Sequence, residues 1–408
     1  MLRHRLAGTR LHSRRRGGAG VKAWYYVALK EIVSTWRDKR TIRNVLVLPV
    51  LLMPLFMYGP AFLMSDIESR TQAAVQKVGV QDLPPEVLKL FAPANLEPVP
   101  VDDPKTAVEA ERVDAALVWR DGRFVIYAME GAKPVKAGLV VAKVRRVLDR
   151  YKDELVAERL RAVGLDPGVL APFAVEVNDV SPPEAQGAGV LGGMIPYFLM
   201  LFIMMGAMAV VIDATAGEKE KGTLEALLAA PVAHLELATG KMFAGLVFAV
   251  VTSISGLAGL LLGGALFRSL AQGATFEAMS GSFSLSPTST LLLFVTAVLY
   301  AAFITALLVA VGMYARSYKE AQTYVSPLYM VLVVPLLVLM FASDFLSQNL
   351  WLYALPVFNV YLAIDQIIKA QIGTAALLVT WFSSLFYVAA ATYWASRNFS
   401  DEGVLFRN

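Results

Sequence analysis

The chain has 408 residues, of which 57% are apolar and only 17% charged, with no cysteine and three histidines. Soluble domains run at about 45–50% apolar and about 25% charged, so this balance, with a mean hydropathy of +0.56, excludes a wholly soluble protein and makes lipid the solvent for much of the chain. The missing cysteines exclude a disulfide framework, a thiolate metal site, a thiol nucleophile and a lipidated cysteine, and His4, His12 and His234 are too scattered to hold a metal.

Residues 1–20 carry six arginines and no acid, and without them the net charge of +4 becomes −2. Three readings of this basic tail (1–21) stay open. It is a twin-arginine signal, although no apolar segment follows closely; an arm that touches anionic lipid; or an untranslated extension, with the true start at Val21.

Charge-free runs then recur at 44–64, 190–212, 242–267, 291–314, 321–343 and 370–396. About 20 residues at ~1.5 Å each cross a hydrocarbon core of ~30 Å, so all six are predicted to span. The weaker run at 345–364 is interrupted by Ser347, Gln348, Asn349, Pro356 and Asn359. It reads, with the residues up to 369, as a re-entrant or interfacial segment, with a seventh full span as the alternative. Lys30, Arg37, Lys39, Arg40, Arg43, Lys219, Lys221, Lys241, Arg316, Lys319 and Arg397 fall on one side of these spans and little beyond Arg268 and Lys369 on the other. That asymmetry predicts both termini in the cytoplasm, including the tail of 397–408, and places 65–188 outside.

The long segment 65–188 is predicted to be an exported α/β domain. Two β-rich runs, 113–119 and 123–129, meet at Asp121-Gly122, a good hairpin turn. Residues 135–163 read as one long helix, from apolar positions at spacings near three and four, and 173–177 as a returning strand. Prolines 84, 85, 93, 98, 100 and 104 break up the first third. No catalytic residue set is predicted, so a gate, cap or partner surface fits better than an enzyme.

Within the spans, Ser255, Gly259 and Gly263 recur every four residues, a face that lets helix backbones approach closely. Packing within the chain is the simpler reading and a subunit interface the other. Met200, Met204, Met205 and Met208 read as lipid-facing filler, or as a pliable substrate path. Pro49, Pro54, Pro60, Pro327 and Pro335 predict kinks.

The most informative stretch is GEKEKGTLEALLAAPVAHLELATGK, 217–241, within the predicted cytoplasmic loop 213–241. Thr215 and Glu218 have capping-box spacing. Leu224, Leu227 and Leu228 give a short helix one apolar edge, with Glu218, Glu220 and Glu225 facing away, and Pro231 ends it. Such a helix, joined closely to two spans, suits either force transfer from a partner or a resting place on the membrane surface.

GEKEKGTLEALLAAPV resembles the signature loop of the ABC type-2 exporter permeases, and residues 28–55 (ALKEIVSTWRDKRTIRNVLVLPVLLMPL) are similar to the amphipathic elbow and first span of that family. The layout is similar to that family too, with six spans, a large insertion after the first and a broken segment before the last, and within the family the insertion is similar to the sodium-extrusion, Nat-type branch. The resemblance implies an α-helical polytopic membrane protein that works as the permease subunit of an ATP-driven exporter. It also implies a dimer with a second copy or a paralogue, and ATP and Mg²⁺ bound by a separate ATPase subunit rather than by this chain. Carried onto matching positions, Glu218, Glu220, Gly222, Thr223, Leu224, Glu225, Leu228 and Pro231 would couple to that ATPase. Lys30, Glu31, Arg37, Asp38 and Arg40 would belong to the elbow (22–43). The branch implies Na⁺ as cargo, and the apolar spans suit a lipophilic compound equally.

The chain's own residues agree in one respect: the nearest approach to a phosphate-binding loop, Gly217-x₄-Gly222-Thr223, lacks the lysine that would hold the phosphates. Nothing points to nucleic acid. Two other classes remain: an ion-coupled secondary transporter, which would place ionisable residues at mid-membrane, and a membrane-anchored sensor or scaffold whose exported domain does the work.

Overall fold

A computed structural model describes residues 23–170, 193–270 and 285–401, together with 173, 176, 178, 180 and 181. The basic tail and most of the strand expected at 173–177 lie outside the described residues. The chain divides into two compact units. One holds the residues through Met53, Gly193–Gly259 and those from Leu285 onward, and the other holds those from Pro54 to Gly192 and from Leu260 to Ser284.

The first unit opens with α1 (Ala23–Arg37). The next helix, α2 (Lys39–Ala73), starts in this unit and ends in the other. Then come α6 (Met194–Glu220), α7 (Thr223–Leu228) and α8 (His234–Leu270), whose residues from Leu260 belong to the other unit, followed by α9 (Pro287–Gly312), α10 (Tyr318–Leu346), α11 (Phe358–Ile368) and α12 (Thr374–Asn398). Among the described residues, six helices are long and apolar enough to cross a membrane: α2, α6, α8, α9, α10 and α12. At ~1.5 Å per residue, the 11-residue α11 spans only ~16 Å and cannot cross, so the weak run is a 3₁₀ turn (Leu350–Ala354) followed by a short buried helix. Helices α2 and α10 continue through Pro54, Pro60, Pro327 and Pro335.

Helix α9 packs against α6, α11 and α12, and its Tyr300 is fully buried. The apolar window of α6 is 72% buried, against 22% in α10 and 17% in α12, so the last two turn most of their apolar surface outward. Met200 and Met204 are buried in the packed interior of α6, which corrects the lipid-facing expectation: α6 is a central helix, and its thioethers fill gaps between neighbours. Polar groups among these helices are paired, as burial requires. Asn359 Nδ2 donates to Ser383 Oγ and Ser384 Oγ at 3.0 Å each, Trp381 Nε1 to Thr296 Oγ1 at 3.0 Å, and Asn398 Nδ2 to the Ala310 carbonyl at 2.8 Å.

The second unit contains the inserted α/β domain: β1 (Gln76–Gln81), α3 (Pro85–Lys89), β2 (Leu96–Pro100), α4 (Pro104–Glu109), β3 (Ala115–Arg120), β4 (Arg123–Tyr127) and α5 (Pro134–Ala162). The sheet order is β2-β1-β3-β4, with β1 parallel to both neighbours and β3 antiparallel to β4. The hairpin turns at Asp121 (φ 52°) and Gly122 (φ 75°), two positive-φ residues that match the right-handed twist of the strands. Pro98 and Pro100, which masked β2 in the sequence, sit on an edge strand, where missing N–H donors are tolerated. The core joins Val78, Phe91, Leu96 and Leu117 of the sheet side to Val144 and Val147 of α5.

Candidate coupling site

The amphipathic α1 ends at Asp38, whose carboxylate caps α2 by accepting from Arg40 N at 3.0 Å and Thr41 Oγ1 at 2.6 Å. Those bonds, that of Thr41 first, hold the Asp38 carboxyl below the usual carboxylate range. About three turns earlier, α1 lies against the start of α8. A Cβ on Gly240 would stand 2.7 Å from Val27 Cβ and 2.8 Å from the Trp24 carbonyl, so only glycine admits this approach. Trp24 packs edge-on against Phe243 with centroids 5.4 Å apart.

Beside that crossing lies a buried charge cluster. Lys241 is 0% exposed, Glu31 4% and Glu218 6%. Lys241 Nζ donates to Glu31 Oε1 at 3.1 Å, to the Ala214 carbonyl at 2.5 Å and to Glu218 Oε2. Lys30 Nζ closes the set on Glu31 Oε1 at 3.1 Å and on Glu218 Oε1. Two ammonium groups and two carboxylates sum to zero, the condition under which buried charges are tolerable. Burial opposes the Lys30 ammonium, but its bond to Glu218 and the charges of Glu31 and Glu218 outweigh that and hold Lys30 above the ordinary lysine range.

The structure corrects two expectations about this loop. Thr215 does not form a capping box, because α6 has no N-terminus there: the helix runs on through a π turn (Asp213–Gly217) to Glu220. With no orphan donors to satisfy, Thr215 Oγ1 bonds the Val211 carbonyl at 2.7 Å. Nor does Glu218 face away into water; the two lysines draw it inside. A second π turn (Arg43–Val47) interrupts α2, and such turns concentrate at functional sites.

Helix α6 stops at Gly222, whose φ of 69° is the left-handed conformation that ends helices. Its last turn is tied down on three sides. Lys219 Nζ reaches the Met313 carbonyl at 3.1 Å, Tyr318 N donates to Glu220 Oε2 at 2.8 Å, and Lys221 pairs with Asp213 at 2.9 Å. The Asp213 bond, against the opposing effect of burial, raises the Lys221 ammonium above its usual range. In α7, which Leu228 closes, Leu224 is buried while Thr223 and Glu225 are exposed, as is Pro231 in the following turn.

Of the residues singled out from sequence, Lys30, Glu31 and Glu218 therefore meet in one cluster. Glu220 ties α6 to α10, while Arg37, Asp38 and Arg40 lie on the exposed far turn of the elbow. Lys241 is the residue that sequence reasoning missed; its signal was a lone lysine after a glycine, entering an otherwise apolar helix. A smaller set was also missed: Asp365 of α11 is 1% exposed and pairs with Lys369 at 2.9 Å, and Lys369 in turn reaches Asp344 at 2.6 Å. Ser255 bonds only within α8, at 2.8 Å to the Val251 carbonyl. A Cβ on Gly259 would stand 2.5 Å from the Val50 carbonyl, and one on Gly263 2.0 Å from Pro54 Cβ, so both glycines seat α2.

Residues 25–396 match a family described as ABC-2 family transporter protein. The chain is also similar to the ABC transporter permease protein NatB of Bacillus subtilis (strain 168), with 26% identity over 365 residues that cover 87% of this chain and 92% of that protein.

Proposed function

Because the chain belongs to the ABC-2 transporter family and is the membrane subunit of an ABC transporter, we propose that the turn between α6 and α8 is where a separate ATPase docks. The observation that carries this reading is the cluster of the buried Glu31, Glu218 and Lys241 with the exposed Lys30, which joins α1, the end of α6 and the start of α8. Force applied to α7 then acts on three helices at once. In this reading Gly222, Thr223, Glu225, Leu228 and Pro231 form the contact with the ATPase, the buried Leu224 seats α7 behind them, Glu218 and Glu220 anchor it, and ATP and Mg²⁺ stay on the partner. Arg37, Asp38 and Arg40 end the elbow beside it.

The same reading places α7 and both termini in the cytoplasm and the inserted domain outside, supported by the lysine and arginine asymmetry of the loops. A second permease copy or a paralogue completes the path, supported by the outward apolar faces of α10 and α12. Resemblance to the sodium-extrusion branch makes Na⁺ the cargo to test first, a lipophilic compound being the other outcome.

Co-expression with the ATPase tests the site. Glu225 is exposed, so Glu225→Lys is expected to leave folding intact while losing the ATPase on affinity purification, or hydrolysing ATP without Na⁺ uptake into everted vesicles. A Glu225→Lys protein that retains its ATPase and transports at the parent rate refutes the assignment.

A further inference from the structure

Where α2 ends, the inserted domain closes over it. Lys143 of α5, only 5% exposed, donates from Nζ to the carbonyls of Thr71 at 2.7 Å, Gln72 at 3.1 Å and Ala74 at 3.2 Å. The ammonium thus caps the C-terminal end of a long helix, where the backbone dipole is negative. Asn95 Nδ2 adds a bond to the Gln72 carbonyl at 3.2 Å.

Next to this cap is a cavity of about 290 Å³, and no carboxylate is among its lining residues. Lys143, Arg146 and Arg150 contribute cations, Gln72 and Asn95 carboxamides, and Leu90 part of an apolar wall. Positions 143, 146 and 150 share one stripe of α5, because residues three and four apart are neighbours on a helix. Arg150 pairs with Glu154 at 3.0 Å, an exposed contact, whereas Arg146 has no acidic partner among the described residues. Burial first, and the nearby Arg146 charge second, push the Lys143 ammonium below its usual range. Lys143 and Arg146 thus face the cavity with no carboxylate beside them, and Arg150 shares its charge only with the exposed Glu154 outside the lining.

We infer that this cavity binds a phosphate-bearing anion. Arginine presents a planar fork that matches phosphate oxygens in pairs, and the volume lies at the small end of the ~300–1,000 Å³ typical of ligand pockets, so a headgroup-sized or smaller anion fits. The location leaves two sources within reach. From Met64, the last residue of the first charge-free run, to Gln72 is eight residues of helix, about 12 Å. The interfacial layer is roughly 5–8 Å thick on each side, so the cavity opens just beyond it. There it is open to free phosphate from solution and lies within a few ångströms of the lipid headgroups.

The full-length protein in a phosphate-free detergent tests this by titration calorimetry with inorganic phosphate, short-chain phosphatidylglycerol and, as the control of zero net charge, short-chain phosphatidylcholine. Saturable binding of phosphate but not of the anionic lipid identifies the free anion. Binding of phosphatidylglycerol over phosphatidylcholine identifies the lipid. In either case Arg146→Gln/Arg150→Gln, on exposed side chains that do not pack in the core, is expected to weaken binding about tenfold or more. The substitution Arg159→Gln, elsewhere on the exposed surface of α5, is expected to leave binding unchanged. Binding of neither anion, or equal binding by the double variant and the parent, overturns the inference.

Discussion

Replacing Lys241 with methionine removes an ammonium that is wholly buried and leaves Glu31 and Glu218 to share Lys30. Breaking a buried ion pair costs about 3–5 kcal/mol, because the surviving charge is stranded out of water. Lys30 remains beside both carboxylates, so the low end, ~3 kcal/mol, applies here. The chain has no cysteine, which makes the docking of α1 directly measurable. A cysteine placed at Val27, 7% exposed against Gly240, reacts with a maleimide only when the elbow opens. At about 1.4 kcal/mol per decade, Lys241→Met is expected to speed labelling roughly 100-fold. Adding Glu31→Gln restores the charge balance of the cluster and is expected to recover most of the protection. If Lys241→Met labels at the parent rate, or the double variant labels no more slowly than the single, the cluster does not hold the elbow.

Three further outcomes are expected. Gly263→Leu drives a side chain into Pro54 and should destabilise the packing of α2 on α8 by about 1–3 kcal/mol. Gly138→Ala, with nothing within 4 Å of the new methyl, should instead stabilise α5 by up to about 1 kcal/mol, and thermal unfolding distinguishes the two. Lys143→Met strands three carbonyls at the end of α2 and should cost about 1–3 kcal/mol, read as faster amide exchange at residues 70–76. Lys30 has a folded pKa above its unfolded value of about 10.4. Its contribution is therefore fully present below about pH 10 and is lost as pH rises through the folded value. Labelling at position 27, corrected for the reagent, should thus stay flat from about pH 6 to about pH 9 and rise only in stronger alkali.

Much of the architecture was legible because its signals are local. Charge-free runs marked the six long helices, since a charged residue in hydrocarbon costs several kcal/mol, and Asp121-Gly122 marked the hairpin. The helices nevertheless extend past the apolar runs: α2 reaches Ala73 and α6 reaches Glu220, because hydrogen-bonded backbone continues into water until something stops it. At the end of α6 that stop is Gly222. Strand β2, with Pro98 and Pro100, was hidden for a different reason. Prolines argue against a strand in general, and only the sheet order, which puts β2 at the edge, removes the objection.

What the sequence determined by itself was the solvent of each segment, the period of each element and the family to which the chain belongs. Which charges meet was decided by the tertiary structure alone. Glu31 and Lys241 lie 210 positions apart, and Lys30 and Glu218 lie 188 apart, so no window along the chain contains both partners. A carboxylate in a polar loop looks solvated until folding brings a lysine to it. Coulomb attraction depends on distance in space and on the water excluded between the charges, and neither is written into the order of residues.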